Sequence, residues 1–301
     1  MLSIHEQEAI AFEMPRGACD CHTHIFGPEE QFPYWSERAY TPADASITQL
    51  KQLHHQLGIE RVVVVHPSPY GVDNKRSLEA IRELGNQARG VAVIDESTIT
   101  IQEIEQLHQA GFRGARLNLE TSGVEDPQFA KNKLEQTAKL IQSFGWHVQI
   151  YSNPQLVMQL THDIIHCAVP VVLDHFARIP VDDGLEQSSI VQLIEMLKSG
   201  NVWLKLSAPQ RITDHPDSDR MAEFTNLLIR TNQNRLVWGS DWPHSGAQPG
   251  KKRVKEEIEP FHPINDGHAL NRLNQWTKDP IILKKILSDN PAHLYGFKKI
   301  E

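Results

Sequence analysis

Cys19-Asp20-Cys21-His22-Thr23-His24 is a short apolar run that ends in two histidines two residues apart. Side chains alternate along a β-strand, so His22 and His24 face the same way and present two imidazoles side by side at its C-terminal end. Phe26-Gly27-Pro28 then breaks the strand. Further along, Val62-Val63-Val64-Val65 is apolar at every position, the mark of a parallel strand covered by helices on both sides. The alternation continues, with strands over 17–24, 59–66, 90–95, 114–118, 146–151, 169–175, 201–207 and 235–241. Helical spacing fills the gaps. One helix could start at Pro42 and carries Ile47, Leu50, Leu53 and Leu57; others cover 74–87, 101–110, 126–143, 156–166, 188–198 and 218–230, and 281–287 forms the last.

Eight strands alternating with helices predict an α/β fold, a single-domain (β/α)8 TIM barrel over about 17–297 of residues 1–301. An open doubly wound sheet would carry a glycine-rich phosphate loop after its first strand, and His22-Thr23-His24-Ile25-Phe26-Gly27-Pro28 is no such loop. Two long loops stand out. Residues 26–42 hold Phe32, Pro33, Tyr34, Trp35 and Tyr40; residues 245–275 are polar, basic at Lys251-Lys252-Arg253, and read as a loop insertion near the barrel mouth.

Composition narrows the function. The 301 residues are 40% hydrophobic and 23% charged, as in an ordinary globular protein. A net charge of -8 argues against a nucleic-acid surface, which needs a basic stripe, and leaves room for a local positive pocket. Cys19, Cys21 and Cys167 are an odd number, so no disulfide framework is implied and a reducing, cytoplasmic location is expected. All three read as small apolar residues, Cys19 and Cys21 lying opposite His22 or below it. The start, 1–17, carries Glu6, Glu8 and Glu13 and no basic region before an apolar core, so no signal peptide is expected. No apolar run approaches about 18 residues, and no membrane span is expected.

Barrel active sites form at the C-terminal ends of the strands. Those ends offer His22 and His24, His66 and Ser68, Arg116 and Asn118, Gln149 and Tyr151, Asp174, His175 and Arg178, Lys205, Ser207 and Arg211, then Ser240, Asp241 and His244. Each has a structural explanation alone, such as a turn, a helix cap or a surface ion pair. Together they place three histidines, an aspartate and three arginines in one ring, and buried charge is costly unless paired or used.

These residues carry a resemblance. His22-Thr23-His24, Asp174-His175-Phe176-Ala177-Arg178 and Gly239-Ser240-Asp241-Trp242-Pro243-His244 resemble the amidohydrolase superfamily. More narrowly, they resemble its metal-independent branch of 2-pyrone-4,6-dicarboxylate lactonase type. The closing Asn290-Pro291-Ala292-His293-Leu294-Tyr295-Gly296-Phe297 is in the same style. The resemblance implies hydrolysis of a carboxylate-bearing lactone, a small anionic partner. Asp241 is then the general base, and His22, His24 and His175 point N–H donors at the lactone carbonyl. Arg116, Arg178 and Arg211 bind carboxylates, and Ser68, Tyr151 and His244 are further substrate contacts.

Many members of this superfamily hold one or two divalent metals. Here the fourth strand offers Arg116 and Asn118, neither a bridging ligand, and His147 sits near the start of the fifth, so a second metal lacks ligands. A single zinc could use His22, His24, His175 and Asp241. The fixed charge of Arg116 opposes a dication, and no cofactor is the expectation. Three other readings use the same pocket: a sugar-acid lactone isomerase of galactarolactone type, a metal-dependent decarboxylase, and a non-catalytic anion-binding protein, which would not need Asp241 beside three histidines. The choice among pyrone dicarboxylates, muconolactone-like compounds and sugar-acid lactones stays open. So does the oligomeric state, a homo-oligomer included.

Overall fold

In the computed structural model, which describes residues 6–247 and 253–298, eight parallel strands lie side by side in chain order. They are β1 Cys19–Thr23, β2 Arg61–Val65, β3 Ala88–Ala92, β4 Phe112–Asn118, β5 His147–Tyr151, β6 Val171–Leu173, β7 Val202–Leu206 and β8 Leu236–Trp238. Between them run α1 Ile47–Leu57, α2 Lys75–Leu84, α3 Ile101–Ala110, α4 Pro127–Ile141, α5 Pro154–Gln159, α6 Thr161–Ile165, α7 Ser188–Ser199 and α8 Asp219–Asn232. After β8 come α9 Asp266–Thr277, α10 Pro280–Lys284 and α11 Asn290–Tyr295. Lys251 and Lys252 of the basic run, and the first five residues of the segment read for a signal peptide, lie outside the described residues.

The valine run of β2 shows how the sequence makes two cores. Val62 and Val64 join the large cluster between sheet and helices, whereas Val63 and Val65 join a second cluster inside the barrel. Cys19 and Cys21 belong to that inner cluster, with Tyr295 and Phe297, so they lie below the histidines inside the barrel. Strict alternation would have sent His22 outward from Cys21. A register shift between Asp20 and Thr23 adds the residue that turns His22 inward as well.

The barrel closes at that bulge. The Asp241 amide donates to the His22 carbonyl (2.9 Å), and the His24 amide donates to the Trp242 carbonyl (2.8 Å). Gly239 permits the approach, since a Cβ there would stand 2.7 Å from the His22 Cβ. Outside the seam the Asp20 carboxylate accepts from the Ser240 amide (2.9 Å), the Ser240 hydroxyl (2.5 Å) and His54 Nε2 (3.2 Å). The seam therefore fixes the first-strand histidines and Asp241 relative to one another.

Several expected boundaries move. The loop read over 245–275 ends at Asn265, whose side chain caps α9 by accepting from the His268 amide. Leu270, Leu273 and Trp276 of α9 are buried, but its interleaved polar residues Asn271 and Arg272 are buried too, and they disguised the helix as loop. Pro42 does not begin α1. It pairs with Glu259 in a two-residue parallel ribbon, Thr41–Pro42 against Ile258–Glu259, and α1 starts after Ser46 in a capping box with Gln49. The third strand begins at Ala88 rather than Gly90, the helix read over 156–166 divides at Leu160, and the one read over 281–287 passes through a π turn at Lys285–Asp289. Among the described residues no helix is long and apolar enough to cross a membrane.

Candidate active site

Three strand ends deliver the candidate catalytic side chains. The bulge of β1 supplies His22 and His24. Beyond β6, His175, Phe176, Ala177 and Arg178 all take left-handed backbone, with φ of 51°, 55°, 53° and 55°. Each such residue costs on the order of 1–2 kcal/mol, and the turn aims His175 back into the barrel. Beyond β8, Asp241 is also left-handed, with φ 67°.

The imidazoles converge on one oxygen. Asp241 Oδ1 lies 3.7 Å from His22 Nε2, 3.9 Å from His24 Nε2 and 3.6 Å from His175 Nε2. His22 Nε2 and His24 Nε2 are 3.3 Å apart. The other oxygen, Oδ2, accepts from Arg211 Nε (3.1 Å) and Nη2 (2.7 Å). All four residues of the cluster are buried. Burial pushes the Asp241 carboxyl above the usual carboxylate range against the pull of Arg211, toward a useful base. Burial lowers His24 to about 3 and holds His22 and His175 well below the usual imidazole value, so the three rings are neutral near pH 7.

The far nitrogens are anchored. His24 Nδ1 donates to the Val65 carbonyl (2.8 Å), and His175 Nδ1 meets the Ser207 hydroxyl (2.8 Å). Beneath His22 lies a buried polar layer of Lys205, Gln149, Asp174 and Arg116. Lys205 Nζ stands 2.8 Å from Gln149 Oε1, 3.2 Å from His22 Nδ1 and 3.4 Å from Asp174 Oδ1. Gln149 Nε2 donates to Asp174 Oδ2 (3.0 Å), and Arg116 Nη2 approaches the same oxygen at 3.4 Å. Burial raises the Asp174 carboxyl, but Lys205 and Arg116 outweigh it and hold Asp174 ionised.

Above the cluster, Tyr151 forms a post among three guanidinium groups, with Arg116 and Arg178 each 5.3 Å and Arg211 6.0 Å from its ring centre. Arg116 has only long contacts, at 3.4 Å to Asp174 and 3.5 Å to the His66 carbonyl, and its Nε has no partner. The inner pocket is lined by His24, Ser68, Arg116, Tyr151, His175, Arg211 and Asp241. An outer mouth of about 700 Å³ continues past Arg178 and His244.

Not every expected substrate contact faces the pocket freely. Arg211 is committed to Asp241 and to the Ser245 carbonyl (2.7 Å), so it holds the Asp241 carboxylate in place. Arg178 is ion-paired with Glu120 at the outer mouth. His244 Nε2 pairs with Asp266 of α9 at 3.1 Å; burial would lower this histidine, and Asp266 raises it instead. His66 is tied at both nitrogens, to the Ser77 hydroxyl (2.9 Å) and the Gly71 carbonyl (3.1 Å). His147 lies at the start of β5 against Tyr295, away from the cluster. Sequence reading placed Arg253 in a loop near the barrel mouth and Tyr40 in the aromatic loop, and gave neither a contact in the site. Both line the inner pocket, with the Arg253 guanidinium 3.5 Å over the Tyr40 ring and paired with Glu259. The aromatic loop and the ribbon at Ile258–Glu259 form one rim, where the Thr41 hydroxyl donates to the Lys255 carbonyl (2.6 Å).

The chain matches the family model described as amidohydrolase over residues 19–297. It is 32% identical to a 4-sulfomuconolactone hydrolase of Rhizobium radiobacter, over 95% of this chain and 92% of that one. It is also 32% identical to a 2-pyrone-4,6-dicarboxylate hydrolase of Comamonas testosteroni, over 94% and 92%. The crystal structure of a probable 2-pyrone-4,6-dicarboxylic acid hydrolase from Acinetobacter baumannii, with citric acid bound, superposes with a TM-score of 0.78 at 25% identity, covering 93% of this chain and all of that one. With the barrel, the strand-end cluster and these relatives together, the chain belongs to the amidohydrolase family, on the branch of the 2-pyrone-4,6-dicarboxylate and 4-sulfomuconolactone hydrolases.

Proposed function

We propose that this protein is a lactonase-type hydrolase that opens a carboxylate-bearing lactone by attack of water, with Asp241 as general base. The observation that carries the reading is the divided carboxylate of Asp241. One oxygen is held by Arg211, and the other is bare of strong donors and faces three neutral imidazoles at 3.6–3.9 Å. The lactone-hydrolase relatives supply the reaction class.

His22, His24 and Asp241 converge closely enough to suggest a metal cradle. The surroundings do not fit one. The Lys205 ammonium stands 3.2 Å from the far nitrogen of His22, the Arg211 guanidinium grips Asp241, and Arg116 lines the same pocket. Two fixed guanidinium charges, with the Lys205 amino group beside His22, disfavour a dication among these donors, and the mechanism follows from protein groups alone.

Water loses a proton to Asp241 Oδ1 as its oxygen bonds to the lactone carbonyl carbon. Imidazole N–H groups of His22 and His175 stabilise the resulting oxyanion. His24 has a different part from the one expected of it: its only hydrogen is donated to Val65, so its Nε2 accepts and does not donate. Collapse of the intermediate breaks the ring C–O bond, and the proton on Asp241 passes to the leaving oxygen. Arg116 takes the substrate carboxylate, with Tyr151 and Ser68 beside it and Arg178 and Arg253 further out.

The test is turnover in ¹⁸O-water. Hydrolysis places one solvent oxygen in the new carboxylate. A ring-shifted lactone without label would replace hydrolysis by isomerisation, and released carbon dioxide would favour the decarboxylase. Arg116→Met should raise KM about 10- to 100-fold with kcat little changed, as for the loss of a charge-assisted hydrogen bond. An unchanged KM would return Arg116 to a structural role.

A further inference from the structure

We propose that Lys205, in the buried layer under the active site, is a positioning residue that fixes the tautomer of His22, keeping its hydrogen on Nε2 toward the reacting carbonyl. The inference rests on the lactonase reading for its kinetic consequence, and on hydrogen-bond geometry alone for the tautomer.

Two groups compete for His22 Nδ1: Lys205 Nζ at 3.2 Å, which can only donate, and Asp174 Oδ1 at 3.3 Å, which can only accept while ionised. One arrangement gives each residue of the layer a partner, although Asp174 Oδ1 meets Lys205 only as an ion pair at 3.4 Å and Arg116 Nε stays unpaired. The ammonium has three hydrogens and three acceptors in reach, namely Gln149 Oε1, His22 Nδ1 and Asp174 Oδ1. Gln149 then directs its amide hydrogens at Asp174 Oδ2, which Arg116 also approaches. Asp174 is served by Lys205, Gln149 and Arg116 without any hydrogen from His22. Were His22 to carry its hydrogen on Nδ1, an ammonium N–H and an imidazole N–H would face each other in a fully buried site, leaving one donor unsatisfied.

The consequence runs upward through the ring. With Nδ1 accepting from Lys205, His22 must carry its hydrogen on Nε2, where it meets the lone pair of His24 Nε2 at 3.3 Å. That lone pair exists because His24 donates through Nδ1 to Val65. The wiring Lys205 to His22 to His24 to Val65 is therefore a single donor chain. In the free site the Nε2 hydrogen of His22 rests on His24; when substrate binds, the same hydrogen serves the oxyanion, and in neither state does His22 hold an Nε2 lone pair for a metal. Without Lys205, Asp174 is free to accept from Nδ1. The ring then turns a lone pair toward His24, His175 and Asp241, which is the donor set a zinc ion would take.

The experiment is ¹⁵N NMR of histidine-labelled protein, wild type beside Lys205→Met and Lys205→Gln, with Zn²⁺ alone titrated into each after chelator dialysis. The wild type should show His22 Nδ1 as the pyridine-like nitrogen and Nε2 as the pyrrole-like one. In Lys205→Met the assignment should invert. Its kcat should fall about 100-fold, as for loss of one oxyanion donor, with KM retained. Zn²⁺ affinity should rise about tenfold or more. Lys205→Gln, whose amide can still donate to Nδ1, should recover part of the wild-type tautomer and rate. A wild-type His22 protonated on Nδ1 would overturn the proposal whether or not the variants fold, as would a folded Lys205→Met with unchanged tautomer and Zn²⁺ affinity. A protein that opens no lactone yet shows the expected tautomer would contradict the lactonase reading and still support this one.

Discussion

At the N-terminal end of the barrel interior, Cys19, Cys21, Val63, Val91 and Val172 close around Tyr295 and Phe297, fully or nearly fully buried. At the C-terminal end of the same strands stand His22, His24, Arg116, His175 and Asp241, equally buried but charged or polar. The backbone differs as sharply. Among the described residues, the non-glycine positions with positive φ are His175, Phe176, Ala177, Arg178, Ala208, Asp241 and His244 at the reactive end, and Lys278 alone elsewhere. One end buries surface without strain. The other stores strain and buries polar groups, and it persists because the first end and the helix layer outweigh it. Apolar packing and the candidate site thus occupy opposite ends of one set of strands.

Variants should separate the two ends. Asp241→Asn should lower kcat by about 10²–10⁴-fold, the usual worth of a general base, with the fold retained by circular dichroism. Retained kcat would remove Asp241 from that role. Tyr295→Ala at the other end should cost about 3–5 kcal/mol in urea unfolding, yet leave kcat of the folded fraction unchanged. Tyr295→Phe should be nearly neutral in stability, because the buried hydroxyl has no hydrogen-bond partner. A kcat loss in either Tyr295 variant would mean that the ends are not independent.

Acid sharpens the comparison further, since neutral histidines are buried at both ends. Burial lowers His24 and His147 to about 3 and His66 to about 4. Above their unfolded value near 6.5 these groups are neutral in both states and contribute no pH dependence. As pH falls below that, the unfolded chain takes up protons that the folded one refuses. Stability should drop by about 1.4 kcal/mol per pH unit for each such histidine, down to the folded value. Flat unfolding midpoints between pH 6.5 and 4.5 would contradict this burial. The smallest effect belongs to the strained turn. Ala177→Gly should raise stability by about 1 kcal/mol, measured as an increased urea midpoint, with activity nearly unchanged.

The barrel and the convergence of the strand-end histidines on Asp241 were legible because both rest on local pattern. Alternating strands and helices imply the barrel, and strand ends bearing histidine and aspartate imply the ring. What was not legible depends on partners far apart in sequence. Arg211 looked like a substrate clamp until the turn at Ala208 brought it onto Asp241. His244 looked like a substrate contact because α9, which carries its partner Asp266, read as loop. Lys205 was a minor candidate, since its worth lies in a layer assembled from β4, β5, β6 and β7 together. Asp20 received no role, because the bulge that makes it a seam staple is invisible to a two-residue period.

The most direct measurement is lactone turnover by chelator-stripped protein, with metal content determined on the same sample. The substrates are 2-pyrone-4,6-dicarboxylate, 4-sulfomuconolactone and a sugar-acid lactone. The account predicts ring opening of a carboxylated lactone at an undiminished rate with metal far below one equivalent. Activity lost on chelation and restored by one equivalent of zinc would contradict it, and would make His22, His24, His175 and Asp241 ligands in place of donors and base.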